Sequence, residues 1–456
     1  MKPAVLWFRR NLRLLDNAAL NAAAESGKPL ISLYVLDEQD VGGASRWWLH
    51  HSLEKLDRQL RDLGSSLILL KGQPAVCLKQ VCEETNADAI FYLRRYEPVS
   101  RRQEEEIEEC LPEAVDVHAF DDGLLHGPTS VMTKADTPFR VFTAFWKAAS
   151  NLAEPKQPKG VPASLQFATA KTSSMRLEEF ELLPNRSNWA EKLHDTWVPG
   201  ESAGLDRLDE LDSIADGYDQ YRDRPDLDAT TRLSPHLHFG EISVRQVWHA
   251  VKQLEHRLLS SKGSAAILRQ LYWREFSSYL LYHSPTLASK PLREEFEHFP
   301  WSHDEDRLRA WQQGLTGFPI VDAGMRQLWH TGWMHNRVRM IVASFLVKDL
   351  LIPWQEGAAW FMDTLVDADL ANNSASWQWV AGSGTDAAPY FRIFNPTLQQ
   401  KKFDPHGRYV RRWIPELSDN TKGEYPEPIV DHGIARQAAL DAYAAIKGKR
   451  NSKRAP

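Results

Sequence analysis

An α/β domain built on a parallel, Rossmann-like sheet, followed by an all-helical domain, is the fold class the sequence predicts. Three observations lead there. Short apolar runs rich in β-branched or aromatic residues alternate with helix-like segments through the first third of the chain. Long stretches with apolar residues at i, i+3 and i+4 fill the second half. The chain also has 456 residues, too many for one ordinary domain.

The strand-like runs are AVLWF (4–8), LISLYVL (30–36), SLILL (66–70) and AIFYL (89–93). Helical patterns lie around 16–26, 45–63, 73–86 and 100–111. Strands alternating with helices pack as a parallel sheet covered on both faces. No GxGxxG follows the first strand, where RRNLRLLDN stands, which argues against a dinucleotide dehydrogenase. The run EEEIEE, 104–109, reads as a solvated helix face. Periodicity then fades, and the Pro- and Ser-containing stretch 155–175 reads as an inter-domain connection. SAAILRQLYWREFSSYLLYH and AGMRQLWHTGWMHNRVRMIVASFLVKDLL restore a strong helical period. The expected division is 1–125 for the α/β domain, 126–200 for the connection, 201–446 for the helical domain and 447–456 for a disordered basic tail.

Composition narrows the function classes. Hydrophobic residues make up 43% and charged residues 25%, an ordinary globular balance. No apolar run approaches the roughly 18 residues a membrane span needs. The N-terminal MKPAVLWFRRNLRL is too briefly apolar for a signal peptide. Cys77, Cys82 and Cys110 form no CxxC and leave one thiol over, as in a reduced, cytoplasmic protein. Three thiols also cannot hold a four-thiolate iron–sulfur cluster. A monomer with no metal and no membrane partner is expected. The net charge is −6, so any nucleic-acid site must be a local basic patch on an acidic body.

The densest chemistry lies in Asp367–Pro396, DADLANNSASWQWVAGSGTDAAPYFRIFNP. Two acids, two neighbouring asparagines and two tryptophans fall between Asp367 and Trp379. Residues at i and i+2 point apart on helix or strand, so Trp377 and Trp379 face different surroundings. Asp367 and Asp369 form a D-x-D, yet no histidine lies within it to complete a metal site. A second segment, ATTRLSPHLHFGEIS (229–243), sets Thr230, Thr231, Arg232 and Ser234 at the start of a helix. Hydroxyls and free N–H groups there suit a phosphate anion, and the same residues also read as an ordinary N-cap.

These two segments, in this order and on this two-domain frame, resemble the flavin-site signatures of the DNA photolyase/cryptochrome family. The resemblance implies that the helical domain binds a folded-over FAD; in that family the N-terminal domain often, but not always, carries a second, light-harvesting chromophore. Its FAD-binding positions fall here on Tyr218, Thr230, Thr231, Arg232, Leu233, Ser234, Arg274, Arg339, Asp367, Asp369 and Asn373. Asp367 would pair with Arg339 beside the flavin ring, and Asp369 would accept from the flavin. Asn373 would stand at flavin N5, where plant-type cryptochromes usually have Asp, which favours repair over signalling.

Seventeen tryptophans are many for this length. Helix packing accounts for residues such as Trp311, Trp329 and Trp360. The resemblance assigns electron transfer to Trp377 nearest the flavin, then Trp354, then Trp301 outermost. It also implies a substrate cavity for a flipped-out pyrimidine dimer, formed by Gln270, Trp273, Asn336, Met340 and Trp379, an aromatic-walled pocket with a few amides. Arg222, Arg337, Arg392 and Gln399 match DNA-contacting positions. Lys401, Lys402, Arg408, Arg411 and Arg412 read equally as a phosphate-binding rim or as a solvated charge face.

The implied activity is light-driven repair of cyclobutane pyrimidine dimers in UV-damaged DNA, with excited FADH⁻ as electron donor. Gln270 departs from the Glu usual in such enzymes. It can still hydrogen-bond a thymine but cannot supply a proton. Glutamine there also fits (6-4) photolyases and animal-type cryptochromes. The (6-4) enzymes need histidines where Asn336 and Met340 stand, and a blue-light photoreceptor without repair activity is the other alternative. The antenna would be methenyltetrahydrofolate or a deazaflavin. Trp47 and Trp48, in GGASRWWLHH, either stack such a ring or pack a helix onto the sheet.

Overall fold

The computed structural model describes the chain except residues 38–41, 170–171, 185–188, 256, 258–260, 387–390, 419–424 and 453–456, together with the side chains of 448–452. Part of the Asp367–Pro396 segment and the end of the expected tail therefore lie outside the described residues.

Five parallel strands, β1 (Ala4–Phe8), β2 (Leu30–Leu36), β3 (Leu67–Lys71), β4 (Ala89–Leu93) and β5 (Asp116–Phe120), lie in the order β3-β2-β1-β4-β5. Ala4 sits opposite Leu30 on one side and Ala89 on the other, so β1 is central. Strand alternation divides the apolar residues between two layers. Val5, Trp7, Ile31, Leu33 and Ile90 form one core with α3 (Pro74–Thr85) and α4 (Pro98–Cys110). Leu6, Phe8, Leu30, Leu36 and Phe91 form the other with α1 (Ala18–Glu25) and α2 (Gly43–Asp62). Burial on both faces explains why these strands read as continuous apolar runs. Sequence reading found four strands. It missed β5, an edge strand whose DVHAF is only partly covered and lacks such a run.

The RRNLRLLDN loop after β1, where a nucleotide-binding turn would stand, clasps the helical domain instead. The buried Arg13 guanidinium donates to the Gly240 carbonyl at 3.0 Å and to Asp122 at 3.1 Å. Arg245 bonds Asp16 at 2.8 Å, and the buried Glu201 carboxylate accepts from the N–H groups of Leu14 and Leu15 at 3.0 and 2.7 Å. Gly240 has φ +65°, and a Cβ there would come within 2.1 Å of the Arg10 carbonyl. Only glycine permits this approach.

Beyond Glu201 the described chain is helical. The site rests on the helices Ser261–His283, Asn336–Ser344, Trp354–Thr364 and Leu370–Ala381. The last of these packs against the other three, which makes the WQW segment central. Trp311, Trp354, Phe361 and Trp377 share one core. Gly357 gives Trp377 its place, since a Cβ there would meet the indole at 2.1 Å. In the connection, helix Phe142–Ala149 packs on Ser261–His283, and Phe167 bridges to Leu30. The final helix, His432–Ser452, runs on through residues that read as tail. Among the described residues no helix is long and apolar enough to cross a membrane.

Candidate functional site

The Leu370–Ala381 helix begins at Asp369, whose carboxylate accepts from the Asn372 N–H and from Asn372 Nδ2, both at 2.8 Å. Asp367 is buried, while Asp369 is partly exposed. Asp367 receives Arg339 Nη2 at 2.9 and 3.1 Å and Ser234 Oγ at 2.7 Å. One carboxylate thus ties the 229–234 loop to the Asn336–Ser344 helix. Arg339 and Asp367 do form an ion pair, and the Ser234 bond adds a third member.

Within that loop Arg232 adopts φ +51°, an uncommon backbone for a residue with a side chain. Its guanidinium lies 5.3 Å from the Trp333 ring and bonds Asp228 at 3.2 Å, while its Nε is buried without a partner. Arg339 lies 6.0 Å from the same ring, so Trp333 is a floor beneath two cations. Thr230 and Thr231 are half-buried, Leu233 and Tyr218 are buried, and Arg222 stands 5.7 Å from the Tyr218 ring. Asn373 Nδ2 donates to the Ala358 carbonyl at 2.9 Å, and Arg274 Nη1 donates to the Gly123 carbonyl at 2.9 Å.

Three residues at this site escaped sequence reading. Trp333 was one tryptophan among many. His335 caps its helix by accepting the Arg337 N–H at Nδ1, 3.1 Å away, and its Nε2 is buried without a partner. Burial, with Arg337, Arg339 and Arg222 nearby, pushes its pKa down to about 4, so the ring is neutral and carries its proton on Nε2. His238 Nδ1 lies 3.1 Å from Arg10 Nη1 and 3.6 Å from Asp369. Burial alone would raise the Asp369 carboxyl, but His238, the Asn372 N–H and the charge of Arg274 together hold it well below the usual carboxylate range. No spacing in the sequence announces these tertiary contacts.

Buried N–H donors are rarely left unpaired. The orphaned Nε of Arg232 and Nε2 of His335, beside a left-handed backbone, fit an anionic cofactor rich in hydrogen-bond acceptors. Among the described residues no group of His, Cys, Asp and Glu is arranged to hold a metal ion.

The three tryptophans assigned to electron transfer share one apolar cluster. Trp377 and Trp354 are buried, and Trp301 is partly exposed at the edge. The closest ring neighbours of Trp377 are Phe361 at 5.1 Å and Trp311 at 6.3 Å. Trp311 is core, as expected, but Trp329 is 50% exposed and stacks on Trp360 at the surface.

The five residues expected to form the substrate cavity come from three adjoining helices. Gln270 and Trp273 lie on Ser261–His283, Asn336 and Met340 on Asn336–Ser344, and Trp379 on the helix between them. Gln270, Trp273, Met340 and Trp379 are half-buried, and Asn336 is exposed. Among the described residues Gln270 Nε2 donates only to the Ala266 carbonyl of its own helix, at 3.2 Å. Trp379 lines a recess with Arg293, Lys348, Phe391 and Arg392. Arg337 pairs with Asp223 at 2.6 Å and lies 4.4 Å from the Phe403 ring, on the helix Pro396–Phe403 that carries Gln399. Arg222 lies 3.9 Å from the same Asp223. Lys401, Lys402, Arg408, Arg411 and Arg412 are exposed.

Trp47 and Trp48 are both fully buried. Trp48 stacks on Phe239 and donates to Glu241 at 2.8 Å, and Trp47 meets His51 and His194 edge-on. Packing, not ligand stacking, explains this pair.

Sheet, clasp and cradle define a two-domain flavin-binding protein. Comparison with known proteins makes the class specific. A family model described as DNA photolyase matches residues 4–163, and one described as the FAD binding domain of DNA photolyase matches 267–424. The deoxyribodipyrimidine photo-lyase of Agrobacterium fabrum is 46% identical, covering 98% of each chain. Cryptochrome-1 of Arabidopsis thaliana is 38% identical over 91% of this chain and 63% of its own. Among solved structures, a bacterial class III photolyase from Agrobacterium tumefaciens superposes with a TM-score of 0.93 at 45% identity, covering 98% of each chain. The chain belongs to the DNA photolyase family, and FAD is its cofactor.

Proposed function

We propose that this protein is a light-driven photolyase that splits cyclobutane pyrimidine dimers in UV-damaged DNA. The observation that carries the reading is the conjunction at helix Leu370–Ala381. Asp367 and Asp369 at its start organise the cradle, and Gln270, Trp273, Asn336, Met340 and Trp379 stand on it and its neighbours. The 46% identity to a photo-lyase along the whole chain supports the same activity.

Reduced FAD, when bound, supplies the light-excited electron for splitting the dimer. The chain's own residues bind and orient. Thr230, Thr231, Arg232, Leu233 and Ser234 receive the pyrophosphate, with Tyr218 and Arg274 alongside. Arg339 and Asp367 would hold the flavin ring, and Asn373 would offer an uncharged amide to it. Trp273 and Trp379 wall the flipped dimer, while Gln270 and Asn336 hydrogen-bond its base edges and Met340 fills the apolar floor. Arg222, Arg337, Arg392 and Gln399 take the DNA backbone. Trp301, Trp354 and Trp377 would form the route by which an electron travels inward from the surface. Residues 1–125 form the antenna domain, and 126–200 connect it to the catalytic part.

Gln270→Glu tests the assignment of this pocket. An amide at this position binds the dimer but offers no proton. The substitution should leave dark affinity for dimer-containing DNA within about twofold and raise the quantum yield of thymine recovery. Binding and yield both unchanged would remove Gln270 from the site.

A further inference from the structure

Arg269 sits one turn before Trp273 on the same face of the Ser261–His283 helix. Its guanidinium lies 5.6 Å from the Phe142 ring and 5.1 Å from the Trp146 ring. Phe142 in turn stacks face to face on Trp273, with centroids 3.6 Å apart and planes 7° from parallel. Arg269, Phe142, Trp146 and Trp273 therefore form one continuous cation–aromatic surface that ends at the substrate-cavity tryptophan.

Arg269 is exposed, and among the described residues its only recorded partners are those two rings. Five other arginines around the site are engaged by carboxylates: Arg222 and Arg337 by Asp223, Arg224 by Asp226, Arg232 by Asp228 and Arg339 by Asp367. One acid reaches the platform: the Asp386 carboxylate accepts the Phe142 backbone N–H. Arg274 lies 3.8 Å from Glu275, while segments 138–149 and 261–273 contain Arg140, Lys147, Lys262 and Arg269 and neither Asp nor Glu. On a chain of net charge −6 that is a local basic patch of the kind a phosphate requires. A guanidinium laid on ring faces is pre-oriented, and its N–H edge stays free for bidentate contact with phosphate oxygens.

We propose that Arg269, held on the Phe142–Trp146 platform, binds a phosphodiester of the DNA strand beside the flipped dimer. This contact is additional to Arg222, Arg337, Arg392 and Gln399, and it rests on the repair reading above. The platform comes from the connection, so that segment becomes part of the DNA-binding surface rather than a bare linker.

Dark titration of a labelled duplex carrying one cyclobutane dimer, by fluorescence anisotropy over a series of salt concentrations, tests this on the full FAD-loaded chain. Arg269→Ala should weaken binding about tenfold at ~0.1 M salt and reduce the slope of log affinity against log salt by about 0.9. Undamaged duplex should lose affinity by the same factor, because a phosphate contact carries no base information. Arg269→Lys should keep the slope and lose part of the affinity. If Arg269→Ala left affinity and slope unchanged while the native protein prefers the dimer duplex, the proposal would be overturned and the repair reading would stand. No preference for the dimer by the native protein would sink both.

Discussion

Asp367 joins Ser234 and Arg339 at 2.7 and 2.9 Å in a buried position, and the consequences of losing it are specific. Breaking a buried, hydrogen-bonded ion pair from one side costs about 2–4 kcal/mol, largely because the remaining charge stays desolvated. Asp367→Asn should therefore lower the Tm of the purified protein and release FAD on gel filtration, read as a lower ratio of flavin to protein absorbance. Full flavin occupancy in the variant would contradict the role given to this pair. The residue scale is also where sequence reading was uneven. Asp367, Arg339 and Ser234 were legible because they sit in long ordered motifs. Trp333, His335 and His238 were not, since their parts depend on which guanidinium or carboxylate the tertiary fold brings beside them.

Helix Ser261–His283 carries Gln270 and Trp273 on one face and buries Glu275 elsewhere. The Glu275 carboxylate accepts the His126 N–H at 3.2 Å, which docks the connection on the helix. Burial raises its pKa to about 7, against the pull of Arg274 and the backbone N–H groups of Leu125 and His126. The folded state thus holds this proton more tightly than the unfolded chain, whose carboxyl titrates near 4.3. The associated stability is complete below that value and is lost as pH rises through about 7, a change on the order of 3 kcal/mol. Gln at this position keeps an acceptor oxygen and does not titrate. The Tm of Glu275→Gln relative to native should accordingly climb between pH 5 and pH 8, and a difference constant with pH would contradict this. At this scale helices and buried strands were legible from periodicity, because their apolar spacing is dictated by what they pack on. The edge strand Asp116–Phe120 was not, being covered on too little of its surface to need an apolar run. Trp47 and Trp48 likewise could not be resolved between packing and ligand stacking until their complete burial was seen.

Taken whole, the molecule sets an α/β sheet with no nucleotide-binding turn against a helical domain, through a loop whose arginine and backbone groups reach Gly240, Asp122 and Glu201. The cradle and the helices that carry Gln270, Asn336 and Trp379 belong to the helical side, so cofactor and DNA would meet across one helix, Leu370–Ala381. Fold alone does not separate repair from light sensing, and relatives of both kinds align along this chain. The most direct test is chromatographic product analysis after illuminating the flavin-reduced protein with two oligonucleotides, each with a dark control. One carries a cyclobutane thymine dimer and the other a (6-4) product. Light-dependent recovery of thymines from the first alone is the predicted result. Flavin bound and photoreducible, yet neither lesion repaired, would contradict it and point to a photoreceptor.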